Sequence, residues 1–163
     1  MRVMTADASG VAIRVAGGAD AAALAELRAR WVADIEPEPD FPERMAAWMA
    51  AEGERRTTWL AVAVDRPVGM ASLFEYRRMP KPGREDSAWG YVGNLFVCED
   101  CRNRGIGSAL LAEVTAAAEE RCYARLVVSP SAEALSLFGR AGFVRPGDAR
   151  NADLLLLRPG TGS

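Results

Sequence analysis

A chain of 163 residues, half of them hydrophobic and 26% charged, is long enough to bury a sizeable core as one domain over residues 1–163 and too apolar to stay disordered. Its formal net charge of -2 argues against nucleic acid as a partner, because duplex affinity rests on clustered Lys and Arg, and no basic face stands out beyond the stretch Arg77 to Arg84. Apolar runs such as Leu154 to Leu157 fall far short of the roughly 18 residues that suggest a spanning helix, and the N-terminus carries no signal-peptide h-region; the expectation is a cytoplasmic enzyme with no membrane partner.

Val11 to Val15 reads as a first strand. Asp20 to Ile35 places Ala22, Leu24, Leu27, Trp31 and Ile35 near helical spacing, and the prolines at 37 and 39 end that helix. A second, shorter helix is expected over Pro42 to Ala51. Thr57 to Val64 and Val68 to Tyr76 read as antiparallel strands joined at Asp65-Arg66-Pro67. A polar loop precedes a strand from Trp89 to Val97, whose Gly90 and Gly93 mark a bulge or the close approach of a ligand or another backbone. From Arg104 to about Arg121 a helix carries Ile106, Leu110, Leu111, Val114 and Ala118 on one face. Leu126 to Ser129 is a buried-looking strand. A helix opened by Pro130 or Ser131 then runs to Arg140, and Gly142 ends it. Phe143 to Arg145 and Asp153 to Leu157 complete the pattern as a hairpin, giving the order β-α-α-β-β-β-α-β-α-β-β.

The richest stretch runs from Asn94 to Ser108, through an apolar strand and a short turn into a glycine-rich helix start. The first N–H groups of a helix lack intrahelical partners and the helix dipole adds positive charge there, so a phosphate satisfies both. Gly105 and Gly107 leave room for backbone to approach phosphate oxygens, and Arg102 and Arg104 add full charges at the rim. Leu110 stands where a dinucleotide fingerprint needs Gly or Ala, and no Lys-Ser/Thr pair follows as a P-loop requires. The plain alternative is a strand-to-helix turn in which glycine serves only tightness.

Cys98 and Cys101 form a C-x-x-C spacing, but with Cys122 the only other thiol and no histidine in the chain, four zinc ligands cannot be assembled from these types, and no metal is expected. Lying near a helix N-terminus and Arg102, the pair is either a redox switch on the loop or two ordinary turn cysteines.

The remaining pattern, Arg102-x-x-Gly105-x-Gly107 between strand and helix, strongly resembles the acyl-CoA pyrophosphate loop of the GNAT superfamily of N-acyltransferases. The element order matches over essentially the whole chain. A second motif adds to the likeness: where the family commonly reads Asn-x-x-Ala-x-x-Leu-Tyr-x-x-x-Gly-Phe, this chain has Ala134, Leu137, Gly142 and Phe143. It departs at Ser131, where the family often has a cofactor-contacting Asn, and at Phe138, where the family often has the Tyr proposed to protonate the departing thiolate.

The resemblance implies a mixed, mostly antiparallel α/β (α+β) fold with a splayed central sheet flanked by helices, acetyl-CoA as cosubstrate without metal, and acyl transfer to an amine. It places pyrophosphate on Arg102, Asn103, Arg104, Gly105, Ile106, Gly107 and Ser108, pantetheine along Leu95, Phe96 and Val97, and further cofactor contacts at Ser131 and Phe138. A backbone donor to the thioester oxygen falls at Leu95 or Phe96, with Asn94 placed to hold an acceptor group. With no histidine, the base candidates are Glu75, Tyr91, Asp34 and Glu36. Acceptor walls from the first two helices carry Trp31, Asp34, Glu36, Glu38, Asp40 and Trp48, and acid plus aromatic suits a cation: a small amine or amino-sugar. A protein N-terminus or lysine, a non-catalytic acyl-CoA-binding module, and another kind of nucleotide-binding α/β domain remain open. The look-alikes commonly form homodimers.

Overall fold

The computed structural model describes residues 10–32, 35–147 and 154–159. Strands β1 (Val11–Val15), β2 (Arg56–Ala63), β3 (Arg66–Arg77), β4 (Ala88–Val97), β5 (Leu126–Val128) and β6 (Leu155–Leu157) form one sheet in that spatial order. Helices α1 (Ala21–Trp31), α2 (Phe41–Glu52), α3 (Ile106–Glu120) and α4 (Leu135–Arg140) flank it. The first four strands are mutually antiparallel, β5 runs parallel to β4, and β6 returns antiparallel to β5. The sheet is thus open, mixed and mostly antiparallel, as the resemblance implies.

Strand alternation decides what each face meets. Gly69 of β3 comes so close to α3 that an added Cβ would lie 3.2 Å from Leu110 and 3.5 Å from Ile106. Its neighbours Met70 and Ser72 point the other way, toward α1 and α2. Leu24 and Leu27 of α1 and Leu110, Leu111 and Val114 of α3 join the buried strand residues in one core.

Several boundaries differ from the sequence expectation, and of the four that follow three have clear reasons. The β2–β3 turn is Val64-Asp65, with φ of 46° and 60°, rather than Asp65-Arg66-Pro67. Two-residue hairpins take left-handed residues because that twist matches the flanking strands, and Arg66 and Pro67 are left inside β3. Helix α3 begins at Ile106 rather than Arg104, because Gly105 sits at φ 81°, outside helical space. Phe143 to Arg145 contributes a single bridge, Val144 to Leu156, since Pro146 has no N–H with which to extend a ladder. Helix α1 stops at Trp31, where Val32 leaves helical dihedrals and the Trp31 ring stacks on Phe96 of β4 at 5.6 Å.

Candidate active site

The parallel pairing of β4 with β5 consists of Gly90 with Leu126 and Tyr91 with Val127. Beyond Tyr91 the strands part. On its other edge β4 remains paired with β3, through Phe96 opposite Met70 and Val97 opposite Gly69. The Cys98 N–H donates to Val68 O at 2.9 Å, so antiparallel alternation turns Phe96 toward β3 and sends the N–H and C=O of Leu95 and Val97 into the gap. Val97 O there accepts from Arg102 Nε at 3.1 Å. Ahead of these residues lies a bulge: Ser72 pairs with Gly93 and Met70 with Phe96, so Ala71 faces both Asn94 and Leu95, and Asn94 takes φ 52°. An extra residue of this kind re-aims a strand locally.

The gap leads to the start of α3. Asn103 and Gly105 both adopt left-handed dihedrals, φ 60° and 81°, which fold the loop back so that the helix opens toward the gap. No side chain caps the helix, so the first-turn N–H groups of Ile106, Gly107 and Ser108 are free of a cap. An added Cβ at Gly105 would meet nothing within 4 Å, whereas one at Gly107 would lie 3.3 Å from Leu137 of α4 and 3.8 Å from Val97. Arg102, Asn103, Arg104 and Ser108 are exposed around this opening. Fifteen residues of helix behind uncapped N–H groups make a site suited to an anion.

On the other face of the sheet, between it and α1 and α2, lies a cleft of about 690 Å³. Its floor is a polar chain: Thr58 and Ser72, both buried, share a hydroxyl hydrogen bond of 2.9 Å, and Asn94 Nδ2 donates to Ser72 Oγ at 3.3 Å. The wall includes Arg28, Arg44, Arg56, Phe41 and Trp48. The bulge at Asn94 therefore touches both openings, with its side chain in the cleft and its successor Leu95 on the gap.

Several candidates lie elsewhere than expected. Glu75 does not line the cleft. Its carboxylate accepts from the Tyr123 hydroxyl at 2.6 Å and from Arg77 at 2.6 Å; Tyr123 foremost, then Arg77, hold it below its ordinary pKa, which makes it a poor base at neutral pH. Phe138 is 2% exposed and packs edge-on against Phe143 at 5.1 Å, so it is a core residue. Its helical neighbour Leu137 is the one that approaches Gly107.

Ser131 is exposed ahead of α4 and its side chain makes no cap hydrogen bond. Tyr91 shares the sheet face of Gly93, with its ring 3.7 Å from a Cβ placed there. Gly90, by contrast, is small because the core is tight: a Cβ would fall 2.6 Å from Leu73 and 2.8 Å from Leu126. Trp31 stacks beneath Arg28 at 4.7 Å, Glu36 is exposed, and Asp34 lies outside the described residues. Cys98 and Cys101 are unpaired and buried, with Arg30 donating to Cys98 Sγ at 3.5 Å. Among the described residues, no group of three or more His, Cys, Asp or Glu side chains is arranged to hold a metal, and no helix is long and apolar enough to cross a membrane. The three cleft arginines escaped the sequence reading, because they come from α1, α2 and β2 and no local pattern joins them.

A splayed parallel strand pair beside an uncapped, glycine-rich helix start defines a class, and the comparisons agree: the chain belongs to the acetyltransferase (GNAT) family, whose model matches residues 21–143. The donor used by that family is acetyl-CoA. A predicted acetyltransferase from Clostridium acetobutylicum, crystallised with acetyl-CoA, superposes with a TM-score of 0.69 at 20% identity, over 85% of this chain and 92% of its own. Glucosamine-6-phosphate N-acetyltransferase from Arabidopsis thaliana gives 0.69 at 12% identity, over 85% and 94%. Ribosomal-protein-alanine N-acetyltransferase from Brucella melitensis biovar Abortus 2308 gives 0.64 at 22% identity, over 85% and 94%. At such identities the likeness is one of fold, and these neighbours bear names with both small-molecule and protein acceptors. Among curated proteins, none matches the chain in sequence.

Proposed function

We propose that the protein transfers an acetyl group from acetyl-CoA to a primary amine of a small molecule by direct attack. The observation that carries this reading is the continuous path from the unpaired β4 edge at Leu95 and Val97 to the uncapped amides of Ile106, Gly107 and Ser108. An extended pantetheine arm bonds the strand edge as an added strand would. Its pyrophosphate takes the helix amides, flanked by Arg102 and Arg104, and the open space around Gly105 receives the phosphate oxygens. Bound there, acetyl-CoA supplies an activated acetyl carbon whose bond to sulfur breaks as its bond to the amine nitrogen forms.

The chain's own contribution is positioning and charge. Leu95 N–H, which alternation turns into the gap, meets the oxygen on which negative charge grows; a preorganised donor of this kind is worth about 2.7–4 kcal/mol by mutational analogy. Phe96 N–H is committed to β3, which leaves Leu95 as the donor. Asn94, Ser72 and Thr58 give the incoming amine polar contacts on the cleft side. No carboxylate lines the cleft among the described residues and the chain has no histidine, so the attacking amine gives its proton to water. The CoA thiol, with a pKa near the 8.5 of cysteine, needs little help to leave, which suits a chain whose Phe138 offers no acid.

The test is release of CoA thiol across a panel of amines, with Gly105→Asp as the control on the loop. A Cβ there meets no protein atom and Asp is among the residues that occasionally take left-handed dihedrals, so the variant sets a negative charge against the phosphates at the cost of some backbone strain, and a thermal melt checks that it is folded. CoA should bind it at least tenfold more weakly, about 1.4 kcal/mol. A folded Gly105→Asp protein that titrates with CoA like wild type sinks the loop assignment.

A further inference from the structure

The cleft is cationic. Its lining contains Arg28, Arg44 and Arg56 and, among the described residues, neither Asp nor Glu. Of the acids expected on the acceptor walls, Glu36, Glu38 and Asp40 are exposed in the linking segment and do not line the cleft, and Asp34 lies outside the described residues. Arginines elsewhere in the molecule are held by close carboxylates: Arg14 with Asp20 at 2.7 Å, Arg66 with Asp100 at 2.6 Å and Arg77 with Glu75 at 2.6 Å. Those of the cleft are held more loosely. Arg44 and Arg56 reach Glu38 and Glu52 only at 3.4 Å each, longer than a charge-assisted hydrogen bond. Arg28 lies over the face of Trp31.

Each of the three also lies over an aromatic ring. Arg28 lies 4.7 Å from the Trp31 centroid, Arg44 5.7 Å from Phe41, and Arg56 sits between Trp48 and Phe74 at 5.0 and 4.9 Å. Stacking fixes the plane of a guanidinium and leaves its N–H edge to donate, the geometry that grips a carboxylate or phosphate oxygen pair. A cationic acceptor with no anionic group would meet like charge on this wall, offset only in part by the loose pairs with Glu38 and Glu52.

We propose that the acceptor is a primary amine that also carries an anionic group, carboxylate or phosphate, with the anion held on the stacked arginines and the amine directed to the Ser72 and Asn94 floor. This rests on the reading of the protein as an N-acetyltransferase with this cleft as its acceptor site. The anion on the wall orients the molecule, so the amine is the end left facing the thioester.

The experiment compares matched amines at saturating acetyl-CoA: β-alanine against propylamine for carboxylate, and O-phosphoethanolamine against ethanolamine for phosphate. The anionic member of at least one pair should have a kcat/KM at least tenfold higher, and the pair that shows it names the anion. Arg28→Gln should bring that ratio close to one, and Arg28→Lys should restore part of it. Equal or better use of propylamine and ethanolamine overturns the anion site and leaves the transferase reading standing. Should none of the four amines release CoA thiol while CoA still binds, the transferase reading fails, and calorimetry decides the anion site. O-phosphoethanolamine binding that saturates and weakens at least tenfold in Arg28→Gln supports it; no binding, or equal affinity in the two proteins, overturns it.

Discussion

Asn94 holds a φ of 52°, a conformation that costs most L-residues about 1–2 kcal/mol and that Asn and Gly accept. The bulge depends on it, and with the bulge go both the turn of Leu95 toward the gap and the reach of the Asn94 amide to Ser72 at 3.3 Å. Asn94→Val should therefore lose about 1–2 kcal/mol in urea unfolding, whereas Asn94→Gly, which keeps the backbone and loses only the amide, should stay within about 1 kcal/mol of wild type. Equal stability of the Val variant would mean that the left-handed turn is unstrained. The sequence marks Asn94 plainly, as an amide amid Val92, Leu95 and Phe96. It could not mark Phe138 as core, because helix α4 is only six residues long and its buried side is set by Phe143 across the following turn. Nor could it orient Glu75: which face a strand residue takes depends on the register of its neighbours, and that face belongs to Tyr123.

Between β1 and α1 the chain is tied by one carboxylate. Asp20 accepts from Arg14 at 2.7 and 2.8 Å and from the Gly17 N–H at 2.8 Å. Arg14 chiefly, with Gly17 in support, lowers its pKa from the ordinary 3.8. A carboxyl whose folded pKa is depressed adds stability above its unfolded value and loses it as pH falls through the folded one. Asp20→Asn should thus be about 1 kcal/mol less stable near neutral pH, and its deficit should shrink as acid protonates the wild-type carboxyl. A deficit that is constant with pH would assign the effect to packing. Element order was legible because apolar periodicity and the glycine and proline punctuation are local. Helix starts were less so: Gly105 reads equally as the first residue of a helix or as the left-handed turn before it, and only its φ of 81° separates the two.

At the scale of the whole molecule the two openings meet at one strand, β4, with the anion-suited helix start on one side and the arginine-walled cleft on the other. The first was readable because Arg102, Gly105 and Gly107 lie within six positions of each other. The second was not, since Arg28, Arg44 and Arg56 converge only after α1, α2 and β2 have packed. The parting of β4 from β5 also carries a hazard. A strand edge with free N–H and C=O groups in the middle of a sheet is a template on which a foreign chain can extend, the first step of aggregation. Arg102 answers it: by donating to Val97 O it leaves an incoming strand one acceptor short, and it sets a positive charge where a neighbour's backbone would have to lie. Arg102→Ala should therefore scatter more light on mild heating than wild type, and saturating CoA, by filling the same edge, should suppress the difference; identical scattering by the two proteins without ligand would show that the wedge shape of the gap alone keeps other chains out.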